Sequence, residues 1–232
     1  MVKAQLPLRM PPEPEHRFDT FVDAPAGLLS WLQALATPTA HDACGYLQGP
    51  AGSGKTHLLL ATCAHARAAG ADVAYLPLAR LGTRLPQMLQ ATAARDLVAL
   101  DDVDAVAGDG LAEQALFDFH NRSRQQGTRL LYAACQAPAQ LPIGLPDLRS
   151  RLAQCTRATL VLLDDEGRAR LLQQRAARRG LSLDPPATDW LLRRVGRDLA
   201  SLTALLERMD AASLAAQRRI TVPFLRELLK DA

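Results

Sequence analysis

The sequence predicts an α/β fold in which a parallel sheet with flanking helices is followed by a small all-helical domain. Three observations lead to this prediction. Short apolar runs alternate with helical patterns between residues 45 and 163, which is typical of a parallel sheet. A glycine-rich turn at residues 49–57 joins the first apolar run to a helix. After Asp164 the strand signal stops, and only helical patterns follow.

The predicted strands are five short apolar runs, at residues 45–48, 73–78, 97–100, 129–134 and 159–163. The helices predicted between them cover residues 55–69, 83–92 and 111–125, and Gly70 can end the first of these as a C-terminal cap. Four more helices are predicted at residues 165–179, from Pro185 to Gly196, at residues 197–217 and from Thr221 onward. We therefore expect a tail over residues 1–17, an α/β core over residues 18–163 and a helical lid over residues 164–232.

Composition limits the class of protein. The chain has 232 residues, 48% of them hydrophobic, which suits one large and one smaller domain and argues against a disordered chain. The net charge of +3 is too small to require a nucleic-acid partner. No apolar run approaches the ~18 residues of a membrane span, and no secretion signal opens the sequence. We expect a cytoplasmic protein with no membrane partner.

The chain contains four cysteines, Cys44, Cys63, Cys135 and Cys155. No two of them form a C-x-x-C pair, so a zinc site is not expected. In a cytoplasmic protein, the four side chains are expected to be buried, reduced thiols.

The most specific motif is "GPAGSGKTH" at residues 49–57, which fits G-x-x-x-x-G-K-[ST] between a predicted strand and a predicted helix. Such a loop directs backbone N–H groups at phosphate oxygens, and the helix N-terminus adds a positive field. Lys55 would contact the β- and γ-phosphates of ADP or ATP, and the Thr56 hydroxyl would ligate Mg²⁺. The predicted nucleotide-binding residues are Gly49, Pro50, Ala51, Gly52, Ser53, Gly54, Lys55, Thr56 and His57.

A second motif, "DLVALDDVDAV" at residues 96–106, is an apolar strand that ends in two aspartates. Asp101 would hold Mg²⁺ together with Thr56, as the second carboxylate of a phosphate-loop site does. Asp102 would polarise an attacking water. The alternative is that the two aspartates simply begin a loop.

A phosphate-loop sheet followed by a helical lid resembles the AAA+ ATPases, and three segments resemble the DnaA family among them. "HRFDTFVDAPAGLLSWL" (16–32) is similar to the segment that flanks adenine in that family, which implies contacts from Phe18 and Phe21. "GLPDLRSRL" (144–152) resembles its arginine-finger helix, and "GRDLASL" (196–202) its sensor-2 helix. Together with "AGDGLAEQALFDFHNR" (107–122) and "AAQRRITVPFLRELL" (215–229), the likeness to the DnaA-related regulatory inactivators covers nearly the whole chain.

This resemblance implies roles for two arginines. Arg151 would be the arginine finger, offered to the γ-phosphate in a neighbouring subunit, and Arg197 would contact this protein's own nucleotide. The alternatives are a surface arginine for Arg151 and a lid salt bridge for Arg197. At the sensor-1 position, where the family often has a polar residue, this chain has Cys135. Because a thiol is a weak hydrogen-bond partner, we expect tight nucleotide binding with weak intrinsic ATP turnover.

The N-terminal "QLPLRM" resembles the Gln-Leu-x-Leu peptide by which such regulatory inactivators dock on the sliding clamp, the β subunit of DNA polymerase III. Its clamp-binding residues would be Gln5, Leu6, Pro7, Leu8 and Met10. Prolines at 7, 11, 12 and 14 would keep the peptide extended, which lowers the cost of ordering it on binding. Arg9 departs from the apolar residue or proline usual near the motif's end. The alternative is a frayed terminus on the protein surface.

Three functions are compatible with this sequence. The first is a regulatory inactivator that stimulates hydrolysis of DnaA-bound ATP, with DnaA and the clamp as partners, DNA contacted only indirectly and self-association possible. The second is a DNA-stimulated ATPase such as a helicase loader, and the third is a DnaA paralogue that recruits DnaA to DNA. The sequence ends shortly after the lid with no room for the helix-turn-helix domain of DnaA, which favours a regulator over an initiator.

Overall fold

A computed structural model describes residues 16–38, 44–178, 180–194, 222, 225 and 226 of the chain. The chain divides into two compact units, the first ending at Val161 and the second beginning at Leu162. The predicted clamp peptide, residues 5–10, and the predicted sensor-2 residue Arg197 lie outside the described residues, as do most of the last two predicted lid helices. Within the described part, no helix has the length and apolar character needed to cross a membrane.

The first unit is built on a five-stranded parallel sheet with the order β2-β3-β4-β1-β5. The strands are β1 (Cys44–Gln48), β2 (Val73–Pro77), β3 (Leu97–Asp101), β4 (Arg129–Ala134) and β5 (Thr156–Thr159). Every residue of β3 and β4 is buried, as parallel strands covered on both faces require. The predicted α/β fold with a parallel sheet is therefore confirmed.

Helices cover both faces of this sheet. They are α1 (Leu28–Ala36), α2 (Lys55–Ala68), α3 (Leu85–Thr92), α4 (Gly110–Gln125) and α5 (Pro146–Gln154). Successive residues of β4 point to opposite faces, so Leu131 packs with α1 and α2 while Tyr132 packs with α3, α4 and α5. Each large side chain buried in these two clusters contributes about 1.5–3 kcal/mol to stability.

The second unit contains α6 (Asp165–Arg178) and α7 (Pro185–Arg194) among its described residues. The two helices pack through a small apolar cluster that includes Leu172, Ala176 and Leu191, with Leu225 from the C-terminal part of the chain. The described portion of the predicted lid is helical, as expected.

The fifth strand lies at a different position from the one predicted. It covers Thr156–Thr159, and the apolar run at 159–163 that suggested it contributes only its first residue. Because β5 is an edge strand, its residues are largely exposed and carry no apolar signal. Beyond it, Leu160 is buried, whereas Val161 and Leu162 are 73% and 57% exposed.

The prediction of four buried, reduced thiols is wrong for three of the cysteines. Cys44 and Cys155 form a disulfide, and Cys135 is exposed. Gly45 of β1 is paired with Thr156 of β5, so the two residues that precede them are neighbours, with 4.8 Å between their Cα atoms. Only Cys63 is a buried thiol, and burial raises its pKa to about 12.

A buried carboxylate connects α4 to the chain just before α5. The Glu113 side chain accepts hydrogen bonds from the backbone N–H groups of Gly108 (2.8 Å), Gly144 (3.0 Å) and Leu145 (2.7 Å). Leu145 is the residue immediately before α5. Although burial opposes the ionised form, these three donors lower the pKa of Glu113 below its ordinary value. The position of α5 therefore depends on a residue of α4.

Replacing this carboxylate is expected to destabilise the fold. In Glu113→Gln, the free energy of unfolding at pH 7 should fall by about 1–3 kcal/mol, because N–H donors lose a charged acceptor. A carboxyl whose pKa is lower in the folded state stabilises above its unfolded pKa, and that stability is lost as the pH falls through the folded value. The difference between the two proteins should therefore shrink on acidification in urea unfolding curves. The control is Glu166→Gln, since Glu166 is 87% exposed; equal losses in both variants would contradict this role.

Candidate nucleotide-binding site

The glycine-rich loop leaves β1 and leads directly into α2, in the arrangement predicted. Gly52 and Gly54 have φ angles of +82° and +91°, in the left-handed region that favours glycine. A Cβ atom at Gly54 would lie 2.5 Å from a ring carbon of Phe21. The loop conformation and its close contact with the Phe21 ring therefore both require glycine at position 54.

Lys55 begins α2, and its side chain turns back over the loop. It is buried, and its Nζ donates to the carbonyl oxygens of Gly49 (2.6 Å) and Pro50 (2.9 Å). The same nitrogen lies 4.0 Å from Sγ of Cys135, the residue after β4. These carbonyls orient the ammonium group without neutralising it, so the loop presents a full positive charge.

The two predicted magnesium ligands are in direct contact. Thr56 Oγ1 donates to Asp101 Oδ2 over 2.7 Å, and the Tyr75 hydroxyl donates to the same oxygen over 3.0 Å. Asp101 is 2% exposed, and its other oxygen accepts from the backbone N–H of Asp102. Burial, together with the charge of Asp101, raises the pKa of Tyr75, which therefore remains a donor. Sequence analysis missed Tyr75, since one tyrosine in an apolar strand carries no specific signal.

Asp102 and Asp104 follow Asp101 at the carboxyl edge of the sheet. Asp102 is only partly buried and has a φ of +56°. That partial burial, together with the charges of Asp101 and Asp104, raises the pKa of its carboxyl. A carboxylate with a raised pKa suits a base that polarises water. The Asp104 carboxylate, also missed from sequence, accepts from the backbone N–H of Cys135 at 3.0 and 2.8 Å. Asp104 thus fixes the segment that brings Cys135 to the loop.

The segment before α1 covers the loop from one side, and its two phenylalanines differ in position. The Phe21 ring lies beside Gly54 and 5.5 Å from the ring of His57. Phe18 is buried in the cluster formed with α1 and α2, and its ring is 5.6 Å from that of His65. The structure thus brings Phe21, but not Phe18, against the phosphate loop. Adenine contact by both rings remains a prediction.

The loop's polar atoms fit a bound phosphate. Ser53 Oγ is buried and has no hydrogen-bond partner among the described residues. With Lys55 and the N-terminus of α2, it provides donors to an anion. The described chain holds no cluster of three or more His, Cys, Asp or Glu side chains that could bind a metal alone. Mg²⁺ held by Thr56 and Asp101 would therefore take its other ligands from water and phosphate oxygens, which it commonly does.

Arg151 lies at the end of the sheet where the strands begin, and the phosphate loop lies at the other end, where they finish. Arg151 lines a cavity of about 560 Å³ together with Cys44 and Thr156, the first residues of β1 and β5. The phosphate loop follows Gln48, at the other end of β1, and a strand of this length spans roughly 13–17 Å. The structure therefore separates Arg151 from the other predicted catalytic residues, Asp101 and Asp102.

The sheet order and the phosphate loop define a P-loop protein with the AAA+ fold. Domain III of the Thermotoga maritima replication initiation protein DnaA is similar, with a TM-score of 0.78, 20% identity, and coverage of 96% of this chain and 98% of that one. Replication initiator DnaA bound to AMPPCP and single-stranded DNA is similar with a TM-score of 0.71 and 20% identity. The Thermotoga maritima RuvB Holliday junction branch migration motor has a TM-score of 0.66, 15% identity, and coverage of 93% of this chain and 71% of that one.

The helical part of the chain has a more specific match than the fold of the first unit. Residues 165–229 match the family model of the Hda lid domain. The helical part of the chain is therefore similar to the Hda lid domain, and the first unit has the AAA+ fold, as in DnaA domain III. In the alignment with the DnaA structure bound to AMPPCP and single-stranded DNA, 84% of the present chain is matched, and the match spans 64% of the DnaA chain.

Removal of the loop's ammonium group tests the nucleotide site. Lys55→Ala should abolish ADP binding or weaken it severely in a calorimetric titration, because the phosphates lose the full positive charge that the loop presents. The matched control is Arg67→Ala, which removes an exposed cation from the last turn of the same helix. Circular dichroism should report the same fold for both variants. Unchanged ADP affinity in Lys55→Ala would contradict the assignment of the site.

Proposed function

We propose that this protein is a regulatory inactivator of the replication initiator DnaA. In this proposal it is a nucleotide-bound adaptor that docks on the DNA-loaded sliding clamp and stimulates hydrolysis of DnaA-bound ATP through Arg151. ATP-bound DnaA would become ADP-bound DnaA, and re-initiation of replication would be prevented. The protein acts in the cytoplasm, on replicating DNA that it contacts only through the clamp.

The observation that carries this proposal is the position of Arg151. Its guanidinium group is exposed and lines a cavity at the edge of the sheet where β1 and β5 begin, while the protein's own phosphate loop follows the far end of β1. A cation so far from the protein's own phosphates suits a role on another molecule's nucleotide. The Hda lid match at residues 165–229 and the likeness to DnaA domain III support DnaA as that molecule.

The protein's own nucleotide, ADP or ATP with Mg²⁺, would serve mainly to stabilise its fold and docking surface. Lys55, Thr56 and Asp101 supply the contacts that a magnesium-nucleotide complex needs. The nearby Cys135 offers a thiol where a stronger hydrogen-bond donor would assist hydrolysis. We therefore propose weak intrinsic turnover, with hydrolysis promoted in the partner. Two similar structures, both of DnaA, are bound to AMPPCP, which supports nucleotide binding by this fold.

Docking on the clamp would be the role of the N-terminal peptide. Leu8 and Met10 can bury in an apolar pocket, each contributing about 1.5–3 kcal/mol, and Gln5 can hydrogen-bond at its rim. The prolines that follow would separate the clamp from the AAA+ unit. Arg151 would then be free to reach DnaA while the protein remains attached to newly replicating DNA.

The arginine-finger role is tested with purified ATP-bound DnaA and the DNA-loaded clamp. Arg151→Ala should retain its fold and its own ADP affinity but lose most of the stimulation of DnaA. An arginine finger contributes about 10³–10⁵ in rate, or roughly 4–7 kcal/mol. The matched control is Arg149→Ala, which removes an exposed arginine from the same helix and should stimulate normally. If Arg149→Ala fails and Arg151→Ala stimulates, the finger is Arg149.

The clamp-binding role is tested separately. The double variant Gln5→Ala/Leu8→Ala should no longer bind purified clamp in surface plasmon resonance, because both the rim hydrogen bond and an apolar anchor are lost. Its ADP affinity should match that of the unmodified protein, since the phosphate loop is intact. Full clamp affinity in the double variant would show that this segment is not the clamp-binding peptide. It would favour a frayed surface terminus, and with it the helicase-loader or paralogue alternative.

A further inference from the structure

The cavity beside Arg151 contains a second arginine that the proposed function does not use. Arg124, from the last turn of α4, lines it together with Arg151, and the neighbouring polar side chains are Asn121, Gln125 and Gln154. We infer that this cavity is a phosphate-binding site in which Arg124 and Arg151 together contact the polyphosphate of a nucleotide held by the partner molecule. This inference rests on the proposed function and adds Arg124 to Arg151 as a second phosphate-binding residue.

The spacing of residues along α4 explains why several of them face the same cavity. His120 and Arg124 are four residues apart, as are Asn121 and Gln125, so the members of each pair are neighbours on the helix surface. The cavity of about 560 Å³ is formed between these residues of α4, α1 and the last turn of α5. Arg151, Gln154 and Thr156 are exposed along it, so the cavity is open to a ligand from outside.

The charges around the cavity favour an anion. Among the described residues that line it, the ionised side chains are two guanidinium groups and none is a carboxylate. His120 is buried, with Nδ1 3.0 Å from the Tyr132 hydroxyl and its ring stacked on that of Tyr132. Burial, with the nearby charges of Arg124 and Arg151, lowers the pKa of His120 to about 4, so it is neutral at pH 7.

Arg124 and Arg151 both line this cavity, so an anion that enters it meets two positively charged side chains. Arginine binds phosphate oxygens through paired N–H donors, which makes a polyphosphate the ligand class that best fits this pair. The protein's own nucleotide would be at the other edge of the sheet. A polyphosphate that reaches Arg151 and Arg124 therefore comes from a second molecule.

The first experiment measures the site directly, without DnaA. The chain is saturated with ADP and Mg²⁺, sodium tripolyphosphate is titrated in, and the ring signals of His120, assigned with His120→Gln, are followed by NMR at pH 7. We expect these signals to shift, and Arg124→Gln to weaken the apparent affinity about tenfold, which is a typical effect of losing a charged hydrogen bond. The control is Arg122→Gln, two residues along α4 and outside the cavity lining. No shift in the unmodified protein, or equal affinities in all variants, would overturn the phosphate site.

The second experiment measures hydrolysis of DnaA-bound ATP at saturating concentrations of this protein. Arg124→Gln should reduce the stimulated rate about tenfold, Arg124→Lys should restore part of it, and Arg122→Gln should match the unmodified protein. If Arg151→Ala loses stimulation while Arg124→Gln retains it fully, the inferred role of Arg124 is wrong and the proposed function stands. If the unmodified protein does not stimulate DnaA but binds tripolyphosphate through Arg124, the proposed function fails and the assignment of the site to DnaA fails with it.

Discussion

The buried carboxylate of Asp101 is the interaction on which the nucleotide site depends. It receives hydrogen bonds from Thr56 at the start of α2, from Tyr75 in β2 and from the backbone of Asp102. A buried charge is stable only when such donors surround it. Because those donors come from three separate parts of the chain, the carboxylate also fixes the relative positions of α2, β2 and β3. The two predicted magnesium-binding side chains, Thr56 and Asp101, are therefore already in contact through the protein's own hydrogen bonds.

The parallel sheet separates the two tasks that this fold performs in our proposal. All five strands run in the same direction, so the loops that follow β1, β3 and β4 meet at one edge, where Lys55, Asp101 and Cys135 lie together. The arginine of the proposed trans reaction lies at the edge where β1 and β5 begin. One protein can therefore keep its own nucleotide bound while it offers a cation to another molecule, because the two sites share a sheet but no residue.

The part of the fold and site that could be predicted from sequence is the part encoded by local patterns. The phosphate loop, the aspartates after β3 and the arginine of α5 each lie in a short motif. The edge strand β5 was misassigned because exposed strands carry no apolar run, and the Cys44–Cys155 disulfide was missed because 111 residues separate the two cysteines. Tyr75 and Asp104 form hydrogen bonds with Asp101 and Cys135, which are distant from them in the sequence. These contacts follow from the register of β2, β3 and β4, which the sequence does not show.

Helix α4 contacts both ends of α5. Near its beginning, Glu113 holds the residue before α5, and near its end, Arg124 lines the cavity at the last turn of α5. Sixteen residues of helix span about 24 Å, so a single rigid element positions the helix that carries Arg151. A cation on a helix already positioned during folding needs less reorganisation when it meets a phosphate. Selectivity among possible partners would then come from shape: only a molecule whose bound nucleotide arrives at the right depth and angle could make use of it.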